Sequence, residues 1–332
     1  MAPHDLVIVW RVTTACDLTC PFCAYSRELR FPRVHVPAAQ VLGFADVLRR
    51  AGRVAHVSWL GGEPLLWPPL TEVSSQLHAR GFSLGLTTNG RRLLSRLDLI
   101  INTYSLITLS LDGPADLHDL LRGAPGLTVD LQTAVYALRK RRESVGTGPE
   151  IRVNTVLMRS NLCGFGELLE KLCGWGVDAV TFNALGGWDR PGEFYEREKL
   201  TPEDLAWLRA QLPRWREQFA PLKIYGDANY VRRLELSAFQ IPYPITDCQP
   251  GQNFLFINER GLVSPCSFTA QGYGVPLSQI QALDDLPALF HHRQQHQRHT
   301  ACDDCRSTQV FGKFDDGRLT MDRRPSSAVH PL

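Results

Sequence analysis

The sequence predicts an α/β protein: a partial (β/α)6 TIM-like barrel followed by a small C-terminal module made of a β-hairpin and a helix. Three observations carry that prediction. Six short β-type runs alternate with helix-compatible segments, the pattern of parallel strands joined by helical crossovers. Chemically capable residues recur just after those runs, at the strand ends where βα barrels build their active sites. Beyond about residue 219 the alternation stops, and glycine and proline punctuate shorter runs.

The β-type runs are 6–12, 54–60, 82–88, 105–111, 151–157 and 177–182; the helical segments are 38–50, 70–80, 127–142, 166–175 and 202–219. Thr201 reads as an N-cap with Pro202 at the first helical position. Cys16, Cys20 and Cys23 follow the first strand, and Gly61, Gly62, Glu63 and Pro64 the second. Asn89 and Gly90 follow the third, and the fourth ends in Ser110, Leu111, Asp112 and Gly113. Asn154 lies in the fifth and Asn183 follows the sixth. Singly, glycine and asparagine are ordinary turn residues; concentrated at one end of the strands, they mark a rim. Downstream, Pro242, Pro244, Gly251, Gly261, Pro265, Gly272 and Gly274 bound short runs such as 253–258. A module this small buries little surface alone and often relies on a metal. The boundaries fall at 1–225 for the barrel, 226–315 for the module and 316–332 for a polar tail.

Composition narrows the class. A chain of 332 residues suggests about two domains. With 44% apolar and 21% charged residues it suits a soluble globular protein and excludes collagen-like, coiled-coil and disordered chains. The formal charge of 36 − 34 = +2 gives no case for nucleic acid or an anionic membrane as partner. Arginine supplies 31 of the 36 basic residues, read as a genome composition bias. No apolar run is long enough for a transmembrane helix, and the N-terminus lacks the features of a signal peptide. A cytoplasmic location follows, where thiols stay reduced, so nine cysteines, an odd count, point to metal or catalysis more than to disulfides.

Cys16, Cys20 and Cys23 have the spacing C-x3-C-x2-C. Three thiolates in eight residues can hold three irons of a cubane cluster, which normally takes four cysteines. Structural zinc usually closes with four ligands; three cysteines without a local fourth leave one metal position open. The plain alternatives are three buried cysteines or half of a zinc site.

These residues resemble the signature of the radical S-adenosylmethionine (SAM) enzymes, C-x3-C-x-aromatic-C, with Phe22 as the aromatic. Gly61-Gly62-Glu63-Pro64 resembles the GGEP motif of that superfamily, and Thr87-Thr88-Asn89-Gly90 its T-N-G. Ser110-Leu111-Asp112-Gly113-Pro114, followed by His118-Asp119 and Arg122, is similar to the S-x-D-G…H-D-x-x-R run of the sulfatase-maturase-like branch. The resemblance covers roughly residues 5 to 185. It implies that Cys16, Cys20 and Cys23 hold a 4Fe–4S cluster whose unique iron chelates the amino and carboxylate groups of SAM. It implies main-chain contact with the adenine around Phe22 and an acceptor for the SAM ammonium at Glu63, with Gly61 and Gly62 allowing close backbone approach. Asn89, Ser110 and Arg122 become ribose or carboxylate contacts, and Asn154 an adenosine contact. The implied reaction is one-electron cleavage of SAM to methionine and a 5′-deoxyadenosyl radical, which takes hydrogen from a substrate; the implied electron donor is a flavodoxin or ferredoxin.

Cys248 and Cys266 bracket Gly261 as C-x12-G-x4-C, and Cys302-Asp-Asp-Cys305 follows. This set of four resembles the twitch form of the SPASM extension, which carries one auxiliary 4Fe–4S cluster. Zinc is the rival, because His291, His292, His296 and His299 precede the last pair. Cys163 and Cys173 are left over: a free thiol can return hydrogen to a radical, but a buried core role fits Cys173 better. Asp112 reads as a base or as a turn residue, and Trp188, Tyr195 and Tyr225 as pocket wall or packing.

Two functions compete. The first is a radical SAM enzyme acting on a small molecule or short peptide in natural-product or peptide modification: oxidation, cross-linking, epimerisation or decarboxylation. The first strand begins by Leu6, leaving no room for a leader-binding domain before it, which tilts the expectation to a small or short substrate. The second is a non-catalytic iron–sulfur or zinc protein that relays electrons or scaffolds a partner.

Overall fold

Alternating burial sets the architecture seen in the computed structural model, which describes residues 5–23, 33–53, 55–186 and 192–314. In β1 (Leu6–Thr13), Leu6, Ile8, Trp10 and Val12 turn inward, each at most 2% exposed. In α1 (Ala38–Arg50) the buried residues Val41, Phe44, Ala45, Val47 and Leu48 recur at helical spacing, so one face packs on the sheet. The alternation continues through β2 (Ala55–Gly61), α2 (Leu70–Ala79), β3 (Ser83–Thr88), α3 (Leu97–Thr103), β4 (Leu106–Ser110), α4 (Ala115–Arg122) and α5 (Leu127–Val145). Next come β5 (Glu150–Leu157), α6 (Arg159–Leu162), α7 (Phe165–Trp175), β6 (Ala179–Ala184), α8 (Gly192–Glu198) and α9 (Pro202–Gln218). Thr201 and Asp204 form a reciprocal capping box at the start of α9, behind Pro202 as its first residue.

Strands β1 to β6 pair in sequence order, all parallel, and a short β7 (Lys223–Ile224) extends the row beyond the six strands expected. After α10 (Ala228–Ala238) come β8 (Phe254–Ile257), β9 (Leu262–Ser264), the broken turn α11 (Ala270–Tyr273), β10 (Val275–Pro276) and α12 (Asp285–His296). The expected hairpin, β8 with β9, does not stand apart. Strand β8 lies parallel to the outer edge of β1, from Val7 opposite Phe254 to Trp10 opposite Ile257, so one ten-stranded sheet runs through both halves. Phe165, Phe182 and Trp215 interlock under the β5–β6 end with centroids 5.6–6.0 Å apart. Burying a side chain such as Phe165 contributes roughly 1.5–3 kcal/mol.

All nine cysteines are free thiols. Among the described residues, no helix is long and apolar enough to cross a membrane. Trp188 and the tail 316–332 lie outside the described residues.

Candidate functional site

The C-terminal strand ends open onto a cavity of about 610 Å3. Cys16, Cys20 and Cys23 line one end of it. They sit on the loop leaving β1, which is tightened by Cys23 N–H donating to the Cys20 carbonyl at 3.1 Å and Leu18 N–H approaching the Cys16 sulfur at 3.4 Å. Burial pushes the Cys16 thiol up to about 11 and raises Cys20, where Arg122 opposes the shift. Metal binding at these thiols must therefore expel protons.

The glycine turn after β2 is stitched to that loop. Gly62 N–H donates to Thr13 O at 2.8 Å and Glu63 N–H to Ala15 O at 2.7 Å. A Cβ at Gly62 would lie 2.3 Å from Ala15 O, and one at Gly61 would lie 2.8 Å from Thr13 O. The two glycines thus let two protein backbones meet, and both also face the cavity.

Glu63 departs from expectation. Its carboxyl group is fully buried and is absent from the cavity wall. Oε1 accepts from Leu65 N–H at 3.0 Å and Thr88 Oγ1 at 2.7 Å, and Oε2 from Asn89 N–H at 2.8 Å. Burial pushes this carboxyl up to about 7 against those three donors. Glu63 ties the end of β2 to the end of β3; from its turn, the cavity meets only the main chain of Gly61 and Gly62.

Asn89, Ser110, Arg122 and Asn154 all line the cavity, as does Phe22. Asn89 donates through Nδ2 to Asp17 at 3.0 Å. Arg122 is already paired: it binds the fully buried Asp112 at 2.6 Å and lies over the Phe22 ring at 5.0 Å, with Cys20 Sγ 3.9 Å from its Nη1. Asp112 takes the structural reading. Its second oxygen accepts from Val156 N–H at 2.8 Å, and its own N–H donates to His118 Nδ1. Burial lowers His118 to about 4, so that imidazole is neutral at pH 7.

Behind Asn154 and Asn183 stands a residue that no local motif marks. Lys313 donates to Asn154 Oδ1 at 2.9 Å and to Asn183 Oδ1 at 2.8 Å. Burial and the nearby Arg152 bring its amine down to about 7. Tyr195, Lys199, Arg233 and Arg306 also line the cavity. Arg233, 3% exposed, donates to Cys305 O at 2.7 Å and shares Asp304 with Arg306. Tyr225, Cys163 and Cys173 do not line the cavity; Cys163 is exposed and Cys173 faces Phe219 O at 3.8 Å.

Cys248, Cys266, Cys302 and Cys305 line a second cavity of about 50 Å3. Burial raises Cys248 to about 11 and Cys305 to about 12. None of His291, His292, His296 and His299 lines it, so the mixed cysteine–histidine set for zinc is not assembled. Among the described residues, no three metal-binding side chains converge on one point as a single ion requires. Phe268 and Arg306 stand in the walls of both cavities.

This arrangement defines a barrel with a cysteine loop at its open rim. Residues 10–130 match the Radical SAM superfamily. The superfamily implies a 4Fe–4S cluster and SAM. The chain is 24% identical over 280 residues to the AdoMet-dependent heme synthase of Methanosarcina barkeri, covering 79% of this chain and 76% of that one. It is 28% identical over 175 residues to the mycofactocin maturase MftC of Mycobacterium tuberculosis, where the match spans 52% of this chain and only 43% of the maturase. Streptococcus suis SuiB bound to S-adenosylmethionine shares the fold at a TM-score of 0.64 and 20% identity, over 87% of this chain and 67% of that one.

Proposed function

We propose that this chain holds a 4Fe–4S cluster on Cys16, Cys20 and Cys23, cleaves SAM reductively in the adjoining cavity, and abstracts hydrogen from a peptide or other natural-product substrate. We further propose that Cys248, Cys266, Cys302 and Cys305 hold a second 4Fe–4S cluster. The carrying observation is the single cavity shared by the three thiols, Gly61-Gly62, Asn89, Ser110, Arg122 and Asn154. Its volume of about 610 Å3 falls within the range of small-molecule sites. The peptide and cofactor maturases among the relatives support the substrate class.

The donor chemistry fits, since thiolates are the usual ligands of such clusters. When bound, the cluster supplies one electron to the sulfonium of SAM, giving methionine and a 5′-deoxyadenosyl radical. The chain's residues orient and enclose. Gly61 and Gly62 offer main-chain groups to the methionine end, the role that the resemblance implied for Glu63. Arg122, held by Asp112 and Phe22, fixes a positive charge beside Cys20. Leu18, Leu60, Leu185, Leu200 and Leu234 in the cavity wall help to keep water from a reactive intermediate. A flavodoxin or ferredoxin would deliver the electron, and the nine free thiols suit the cytoplasm. The division expected at 225/226 would leave the three-cysteine loop and the four-cysteine set in different halves, while Arg233, Leu234 and Arg306 of the second half still line the SAM cavity.

The test is anaerobic reconstitution of wild type beside the Cys16/Cys20/Cys23→Ala variant, reading iron per chain and deoxyadenosine. About eight irons falling to about four, with deoxyadenosine lost, supports both sites. About four irons and one zinc in wild type overturns the second cluster. Full deoxyadenosine formation by the variant overturns the first.

A further inference from the structure

We propose that Lys313 is a positioning residue for the SAM site: from behind the cavity wall it fixes the amides of Asn154 and Asn183, so that Asn154 presents an N–H donor to the ligand. This rests on the reading of the cavity as a SAM site. The argument is one of donors and acceptors. Lys313 Nζ keeps at least two N–H donors in either protonation state, and the amide atoms facing it at 2.9 and 2.8 Å are the oxygens of Asn154 and Asn183. Thr181 Oγ1 lies 3.1 Å from Asn154 Oδ1, and Tyr230 Oη, which donates to Phe182 O at 2.9 Å, lies 3.2 Å from Asn183 Oδ1. Asn183 spends its own nitrogen on Asn154 Oδ1 at 3.2 Å. Asn154 Oδ1 therefore faces three donor groups, and Asn154 Nδ2 is the group of this network left for the cavity that Asn154 lines. The ligand atom it meets must be an acceptor, such as a hydroxyl or ring nitrogen of a nucleoside.

The backbone delivers Lys313 with little latitude. Gly312 adopts φ +71°, its carbonyl accepts from Asp227 N–H at 3.3 Å, and a Cβ there would lie 2.5 Å from Asp227 Oδ2. The chain that leaves the second cysteine site is thus threaded against the start of α10 and then into the barrel wall, 130 residues along the sequence from Asn183.

The experiment is equilibrium dialysis of SAM against reconstituted holoenzyme, comparing wild type, Lys313→Met, Asn154→Ala and the double variant, with iron content and thermal midpoint recorded for each. Loss of one oriented hydrogen bond predicts about 10-fold weaker SAM binding in Lys313→Met. It also predicts no further weakening when that change is added to Asn154→Ala, because the lysine acts through that amide. A purely structural lysine would weaken binding in both backgrounds equally, and that additivity overturns the proposal, as does wild-type affinity in Lys313→Met. If Lys313→Met loses iron, Lys313→Gln, which keeps a donor, takes its place in the same cycle. Failure of wild type to bind SAM at all overturns the cavity assignment itself and is read before any variant.

Discussion

The two cysteine sites are built in opposite ways. Cys16, Cys20 and Cys23 come from one eight-residue loop and face a wide cavity. Cys248, Cys266, Cys302 and Cys305 come from three separated stretches and close on a space of about 50 Å3. A local triplet leaves a coordination position for a ligand to occupy. A dispersed quartet requires the surrounding fold to be complete before it can assemble. The first geometry suits chemistry at the metal, the second electron relay or positioning.

The largest expected effect strikes the first site through its backbone. Gly62→Ala would force a Cβ to within 2.3 Å of Ala15 O. Loss of most first-site iron and of deoxyadenosine formation is expected, with second-site iron retained; normal activity would show that the loop can move aside. Next comes Asp304→Ala, which leaves the nearly buried Arg233 without its carboxylate. Asp304 is 32% exposed, so the cost should fall below the 3–5 kcal/mol of a fully buried pair, at about 2 kcal/mol. A lower thermal midpoint and loss of second-site iron, with deoxyadenosine formation spared, would confirm that the sites fail independently. Equal loss at both would erase the distinction.

The smallest effect is a pH dependence at Glu63. Its carboxyl titrates near 7 when folded against 4.5 for the free side chain. The folded state therefore binds the extra proton between those values, and stability declines as pH rises from about 4.5 to about 7, by up to ~1.4 kcal/mol per unit. Glu63→Gln should remove that portion of the slope. Thermal midpoints of both proteins at pH 5.5, 6.5 and 7.5 compare the slopes, and parallel slopes would contradict the assignment.

Much of this was legible in the sequence because it is local. Strand periodicity located β1 to β6 to within a residue or two, and α1 falls on 38–50 as expected. The cysteine loop and the glycine turn are contiguous motifs. The direction of Glu63 was not legible, because a motif records which residue is present, not which way it faces; its buried carboxyl meets Thr88 and Asn89. Lys313 and Asp304 were missed for another reason. Their partners lie 130 and 71 residues away in the chain, at Asn183 and Arg233, and no local pattern encodes such a meeting. The pairing of β8 with β1 was hidden in the same way.

That last pairing has a consequence for how the molecule can be divided. The outer edge of β1, from Val7 to Trp10, is covered only because β8 returns from 247 residues downstream. A barrel cut free of its C-terminal half would bare a row of unpaired main-chain groups beside Trp10, the kind of surface that recruits a second chain and aggregates. The C-terminal half is thus also the barrel's seal, and the strand that carries one cysteine loop is clamped to the hairpin that carries part of the other cysteine set. The two cysteine sets are joined by a hydrogen-bonded ladder, not only by a linker.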